Sequence, residues 1–370
     1  MVRQGRPTIT DVARAAGVSK GAVSFALNGR PGVAEGTRQR ILAAAKAMGW
    51  TPSHRGRALS TSRAFAVGLV LARPPELLGA DPFFPAFIAG VERVLAERNQ
   101  ALVLQVVTSR RAEEDGYRRL AADGRVDGVF LLDLRIADPR IALLEELRLP
   151  AVTLGRPDVA SPFPAVLVDD RPGITAAVRH LVELGHRHVA HVAGPDHFLH
   201  GRARRDAWEN ALRAAGLPPG PCVPADFSAA GGAQATHQLL DLADVPTAII
   251  YANDLMAMAG MAVARERGLD VPGRLSLTGF DDTELAAHIS PALTSVRTDP
   301  SGWGGAAARA LLDLIEGDGG ADVEMAPAQL VVRASTAPPP TPHQSPRPAG
   351  RPSRRPGRSI VTAAEIGDPS

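Results

Sequence analysis

Six histidines crowd one stretch, HLVELGHRHVAHVAGPDHFLH: His180, His186, His188, His191, His197 and His200. Clustered imidazoles can ligate a metal or relay protons, so this run is the natural place to look for catalysis. Its spacing serves neither end. His188 and His191 lie three apart in a strand-like apolar stretch and so face opposite sides. No H-E-x-x-H pair occurs, and the run reads as a helix end leading into a strand. Elsewhere, GGAQAT (231–236) is too short for a phosphate loop and lacks its lysine. No dinucleotide fingerprint appears, and no G-x-S-x-G follows an apolar strand as a nucleophile elbow would. The chain reads as a binding protein, not an enzyme, with no cofactor and no metal expected.

The charges carry a clearer signal. Residues 1–63 hold 11 Lys/Arg against only Asp11 and Glu35, a net +9. Residues 335–370 hold five Arg against Glu365 and Asp368, a net +3. The chain total is +2, so residues 64–334 carry −10. A small basic head on an acidic body implies that the head meets a polyanion and the body does not.

The elements that would present those charges can be read locally. In DVARAAGVSKGAVSFALNG (11–29), Ala13, Ala16, Val18, Val23, Ala26 and Leu27 repeat at helical spacing, yet Gly17 breaks the pattern. Thr8 and Asp11 form a T-x-x-D capping box for a helix ending near Ala16. Gly17 permits the left-handed residue that stops it. Ser19 then caps a second helix by accepting from Gly21 or Ala22. Helix, short glycine turn and helix make a helix-turn-helix. The start of its second helix would face base edges in a DNA major groove with Lys20, Gly21, Ala22, Ser24 and Phe25. A third helix, Glu35–Met48, would pack Ile41, Leu42, Ala45 and Met48 beneath the other two.

From residue 65 apolar strands alternate with amphipathic helices. The strand candidates span 65–71, 101–107, 126–134, 151–155, 165–169, 188–194, 247–252, 275–280 and 294–298. This alternation implies two doubly wound parallel sheets, and so a two-lobed α/β body with a ligand cleft at the strand ends. The single cysteine, Cys222, can build neither a disulfide framework nor a cysteine zinc site. No apolar h-region opens the chain and no apolar run reaches 18 residues, so neither a leader nor a membrane span is expected, and a cytoplasmic location follows. Residues 338–370 are rich in Pro, Arg and Ser, a composition that forms no packed core.

TITDVARAAGVSKGAVSFALNG, TRQRILAAAKAMGWTPSHRGRALSTSR and the closing STAP (335–338) resemble the lactose-repressor (LacI/GalR) family of transcription regulators over nearly the whole chain. The resemblance implies a helix-turn-helix domain over 1–51, a hinge over 52–63 and a periplasmic-binding-protein-like effector domain over 64–337. Within the last, it implies one subdomain at about 64–163 and 293–322 and another at about 164–292 and 323–337. It implies a homodimer on a palindromic operator, with Thr8, Ser19, Asn28 and Arg57 among the DNA contacts and Leu59 wedged into the minor groove. It places the effector against Phe83, Phe84, Arg204, Phe227, Asn253 and Asp281, with Trp208 packing below Arg204. An arginine fork, an amide, a carboxylate and aromatic faces suit a sugar-like ligand, and Arg204 and Phe227 would also suit a nucleobase. Four positions depart from the family pattern. Phe25 cannot donate to a guanine. Ala34 gives the third helix no side-chain cap. Gly56 weakens a hinge helix by about 1 kcal/mol. Gly155 replaces an acid of some sugar-binding members, which favours a larger or different effector. A purine-type effector remains the alternative within this class, and a transport solute-binding protein would share only the body.

Overall fold

The computed structural model describes residues 7–27, 31–50 and 63–340. Asn28, the hinge residues Arg57 and Leu59 and the tail from 341 lie outside the described residues. The head comprises α1 (Ile9–Ala16), α2 (Lys20–Leu27) and α3 (Glu35–Ala47). The body follows as β1 (Ala66–Ala72), α4 (Pro75–Ala80), α5 (Phe83–Glu97), β2 (Ala101–Val107), α6 (Arg110–Ala122), β3 (Gly128–Leu131), α7 (Pro139–Glu146), β4 (Ala151–Leu154) and β5 (Ala165–Leu167). Then come α8 (Arg171–Glu183), β6 (Val189–Ala193), α9 (Leu199–Ala214), β7 (Cys222–Pro224), α10 (Ala229–Leu240), β8 (Ala248–Tyr251), α11 (Asp254–Glu266), β9 (Ser276–Asp281) and α12 (Glu284–His288). The last elements are β10 (Thr294–Arg297), α13 (Pro300–Glu316), β11 (Val323–Glu324) and β12 (Gln329–Val331).

Local chemistry accounts for the head. The Asp11 carboxylate accepts from the Thr8 amide at 2.9 Å and from its hydroxyl at 2.7 Å. Gly17 sits at φ 65°, and its N–H closes α1 onto Ala13 and Arg14. Ser19 Oγ accepts from Ala22 N at 3.2 Å and starts α2. The core is Val12, Ala13, Ala16, Val23, Ala26, Ile41 and Ala45. Arginines on α3 reach back to the ends of the other two helices. Arg40 Nε donates to Ala16 O and Arg38 to Ala26 O, a favourable place for a cation. Leu42 does not join this core. It is 41% exposed, because it stands 100° around α3 from Ile41 and faces water; Ala44 packs instead. Ala34 precedes α3 without a side-chain cap.

Two six-stranded sheets form the body, in the orders β11-β5-β4-β3-β1-β2 and β12-β10-β9-β8-β6-β7. All pairs are parallel except β12, which runs antiparallel to β10 at an edge. The expected subdomain limits miss three strands. β5 and β11 pair in the first sheet and β10 in the second, each opposite to expectation. A chain that crosses between lobes carries no local signature, so only pairing reveals the change of sheet. In the first lobe, α5 and α13 meet almost backbone to backbone. A Cβ on Gly90 would lie 1.9 Å from Ser301 O, and one on Gly304 2.1 Å from Phe87 O. Residues Leu134–Ile136 and His197–Leu199 join the lobes through backbone bonds: Ile136 N donates to His197 O at 3.1 Å and Leu199 N to Leu134 O at 2.8 Å.

Candidate functional site

In doubly wound sheets, ligands sit beyond the carboxyl ends of strands where strand order reverses. Here those points are β1/β3 in the first sheet and β6/β8 in the second. A cleft of about 610 Å³ lies there, its open mouth included.

All six effector-site residues expected from the resemblance line it: Phe83, Phe84, Arg204, Phe227, Asn253 and Asp281. Phe83 starts α5 and packs at 6.3 Å from Trp303, giving an aromatic wall in the first lobe. Phe227 gives the facing wall. Its ring lies in a notch that exists only because residue 194 is glycine, where a Cβ would come within 2.2 Å of Phe227 Cζ. His200 stacks on that ring at 5.6 Å. Burial pulls the His200 imidazole down to about 4, with Arg204 adding to the effect, so it is neutral at pH 7.

Two expected roles change in detail. Arg204 is not a free fork. Its Nε donates to Asp170 at 2.8 Å and one terminal nitrogen to Ala252 O at 2.8 Å, while its plane lies 3.6 Å from the centre of the Phe280 ring. Asn253 first serves as a helix cap. Its Oδ1 accepts from Met256 N at 2.9 Å and its Nδ2 donates to Phe227 O at 3.0 Å, which ties the start of α11 to the Phe227 loop. Trp208 is buried and stacks on His191 at 5.4 Å, outside the cleft lining.

Sequence reasoning missed Arg73, Asp81, Asp133, Asp170 and Trp303, which line the same cleft. The signal available was position, since Arg73, Asp133 and Asp170 each follow the end of a strand closely. Arg73 Nε donates to Asp133 at 2.8 Å. Burial would raise the Asp133 carboxyl, but the Arg73 guanidinium outweighs it and holds it below the usual range. Arg140 pins the loop beneath Asp133 by donating to Leu132 O and Asp133 O. Arg73 also reaches across the cleft to the Phe198 and Phe227 rings, at 4.4 and 5.3 Å.

Each cleft arginine thus has its own carboxylate, leaving Asp81 and Asp281 with no basic side chain paired to them among the described residues. Burial raises both their pKa values; the Phe83 N–H partly offsets this for Asp81, and Arg204 for Asp281. The Asp281 backbone is left-handed at φ 105°, as is Asp282 at φ 55°. Such conformations cost about 1–3 kcal/mol each and persist where surroundings enforce them. Arg297 does so by gripping the Asp282 carboxylate at 2.6 Å. The cleft therefore offers unpaired acceptors between aromatic walls and, among the described residues, holds no spare cation for an anion.

Three histidines of the cluster serve the structure. His186 bonds Thr247, Ser276 and Ala337 O; His191 bonds Ile250 O; His180 bonds Thr336. No group of three or more His, Cys, Asp or Glu residues among the described residues could hold a metal.

On the head, α2 turns Val23 and Ala26 inward. Lys20, Gly21 and Phe25 are exposed and Ala22 and Ser24 half-buried, as are Thr8 and Ser19 exposed at the helix starts. Phe25 is 42% exposed, a high value for an aromatic side chain. No helix of the described residues is long and apolar enough to cross a membrane.

Residues 8–53 match the model for bacterial regulatory proteins of the lacI family, and residues 178–336 the periplasmic binding protein-like domain. The chain is 36% identical over 326 residues to the HTH-type transcriptional regulator CelR of Thermobifida fusca, covering 86% of this chain and 94% of that protein. It resembles the solved CelR–cellobiose complex with a TM-score of 0.69 at 34% identity, over 89% of this chain and all of that one. The lac repressor dimer bound to operator and the anti-inducer ONPF aligns with a TM-score of 0.75 at 29% identity, over 90% of this chain and all of that one. The chain belongs to the lacI family of bacterial regulatory proteins and is a DNA-binding transcriptional regulator.

Proposed function

We propose that the protein represses carbohydrate-use genes in the cytoplasm and releases its operator when a neutral sugar fills the cleft. The carrying observation is the cleft chemistry: aromatic walls of Phe83, Trp303 and Phe227 around the Asp81 and Asp281 carboxyl groups, with which neither cleft arginine pairs. Carboxylates accept from hydroxyls, and aromatic faces cover the C–H side of a sugar ring. An anionic ligand would meet Asp81 and Asp281 with no free cation to balance it. The similar regulator CelR has been solved in complex with cellobiose, which supports the same ligand class.

The basic head reads DNA through Thr8, Ser19, Lys20, Gly21, Ala22, Ser24 and Phe25. Asn28, Arg57 and Leu59 complete the interface proposed from the family pattern. A homodimer with twofold symmetry places two heads on a palindrome. Strand β2 supports that assembly. It is an apolar edge strand, and Leu104 on it is 40% exposed, an edge that a second copy would cover. The test is selection from random duplexes at low salt with full-length protein, followed by a sugar panel on the selected site. Enriched palindromes released by a neutral sugar are expected. No palindrome, or release only by nucleobases, would contradict the reading.

A further inference from the structure

Helix α2 exposes an aromatic ring that the head does not use to fold. Phe25 is 42% exposed and lies outside the core of Val12, Ala13, Ala16, Val23, Ala26, Ile41 and Ala45. It stands in the most basic part of the chain, where residues 1–63 carry a net +9. Phosphate oxygens attract those charges but offer a phenyl ring nothing. In its major groove a duplex presents one apolar group, the C5 methyl of thymine. We propose that Phe25 packs on a thymine methyl in each operator half-site, so that the protein reads this base pair by its methyl group and not by hydrogen bonds. This rests on the reading of DNA through α2.

The surroundings of the ring fit that contact. Gly21 stands four residues before Phe25, on the same face of the helix. A Cβ built on Gly21 would meet only Ser19 Oγ, at 3.7 Å. The turn before the ring is therefore bare, and a base edge can approach it closely. The ring itself is braced from the loop that follows. A Cβ on Gly32 would lie 3.6 Å from Phe25 Cδ2, and Gly32 sits at φ 108°, where a side chain is strained. Glycine at both places lets the ring rest against the loop and still face open space.

The neighbouring polar groups leave the ring a large share of the readout. The Thr8 hydroxyl donates to Asp11 at 2.7 Å, and Ser19 Oγ caps Ala22 at 3.2 Å, so both already serve helix starts. The exposed residues of α2 are Lys20, Gly21 and Phe25. Lys20 can donate to a base, Gly21 has no side chain, and Phe25 can make only apolar contact. Losing one methyl from such a contact forfeits the burial of one carbon, a measurable and sequence-specific effect.

The experiment takes the palindrome selected by the full chain and replaces each thymidine by deoxyuridine, first in one half-site and then in both, with affinity read by anisotropy. Uracil pairs as thymine does and lacks only the methyl. At one thymine per half-site the change should weaken binding about fourfold, and about 15-fold when both half-sites carry it. Phe25→Ala should bind thymine and uracil versions of that site equally, with affinity for random duplex within about twofold of the parent chain. Phe25→Leu, which keeps an apolar side chain, should retain part of the methyl effect. The scan on the parent chain needs no variant to fold. Uracil tolerated at every thymine, a selected palindrome without thymine, or a methyl effect that persists in Phe25→Ala overturns the proposal and leaves DNA reading by the head standing. Selection of no palindrome overturns both.

Discussion

In the head, the contacts that start the two reading helices close over three residues: Thr8 with Asp11, and Ser19 with Ala22. In the cleft, Asn253 holds Phe227 across 26 residues, Arg204 holds Asp170 across 34 and Arg73 holds Asp133 across 60. The head is shaped by short-range caps that any isolated segment could form. The cleft exists only when two sheets have assembled and their strand ends face each other. A mutation in the head should therefore perturb one helix and its DNA contacts. A mutation in the cleft should perturb the whole body, because it strands a buried charge.

Arg204→Ala offers the largest separation of the two regions. It leaves the buried Asp170 carboxylate without its cation and should cost about 3–5 kcal/mol. Calorimetry should show the body melting earlier, with ligand affinity lost. Gly194→Ala tests the same region through shape: its Cβ would meet Phe227 Cζ at 2.2 Å, so ligand affinity should fall more than stability does. A ligand titration compared with a denaturant midpoint would separate those two losses.

Acid should also strike the body. His191 and His200 are both pulled by burial from 6.5 to about 4. The unfolded chain binds those protons first, so stability falls as pH drops from 6.5 towards 4, by up to about 1.4 kcal/mol per pH unit for each histidine. Asp254 opposes this. Burial lifts it from 3.8 to about 6, so between those values its contribution weakens as pH rises. Burial raises Asp81 and Asp281 as well, and they oppose the histidines in the same sense. The histidine part is therefore read as a difference: urea midpoints should fall less steeply with acid in His191→Gln than in the parent chain.

Smaller effects belong to the head. Gly17→Ala places a side chain at φ 65° and should cost about 1 kcal/mol. Ser19→Ala removes the cap on Ala22 and should cost about the same. Both should weaken operator binding and leave sugar affinity unchanged. Ala34→Ser supplies the missing cap of α3 and should add about 0.5–1 kcal/mol to head stability, read from its thermal midpoint.

The same contrast governs what could be read in advance. The break at Gly17 and the restart at Ser19 are local, and the structure places both as read. Long apolar strands such as β1 and β2 are legible too, whereas β7, β11 and β12 span only two or three residues and carry no pattern. Sheet membership of β5, β10 and β11 depends on partners far along the chain. Six cleft residues follow from family resemblance, and the structure brings all six together. Asp133 and Asp170 escape notice because a carboxylate after a strand looks like a turn residue until its distant arginine is known. Leu42 is misjudged because a stripe counted in residues ignores the 100° between neighbours.

The central claim is a coupling between head and cleft, and coupling is reciprocal. The direct measurement is operator affinity by anisotropy with and without saturating sugar, together with sugar affinity by calorimetry with and without operator. The account predicts that sugar weakens operator binding by about 5–150-fold and that operator weakens sugar binding by the same factor. Tight binding of both ligands with no mutual effect would contradict it.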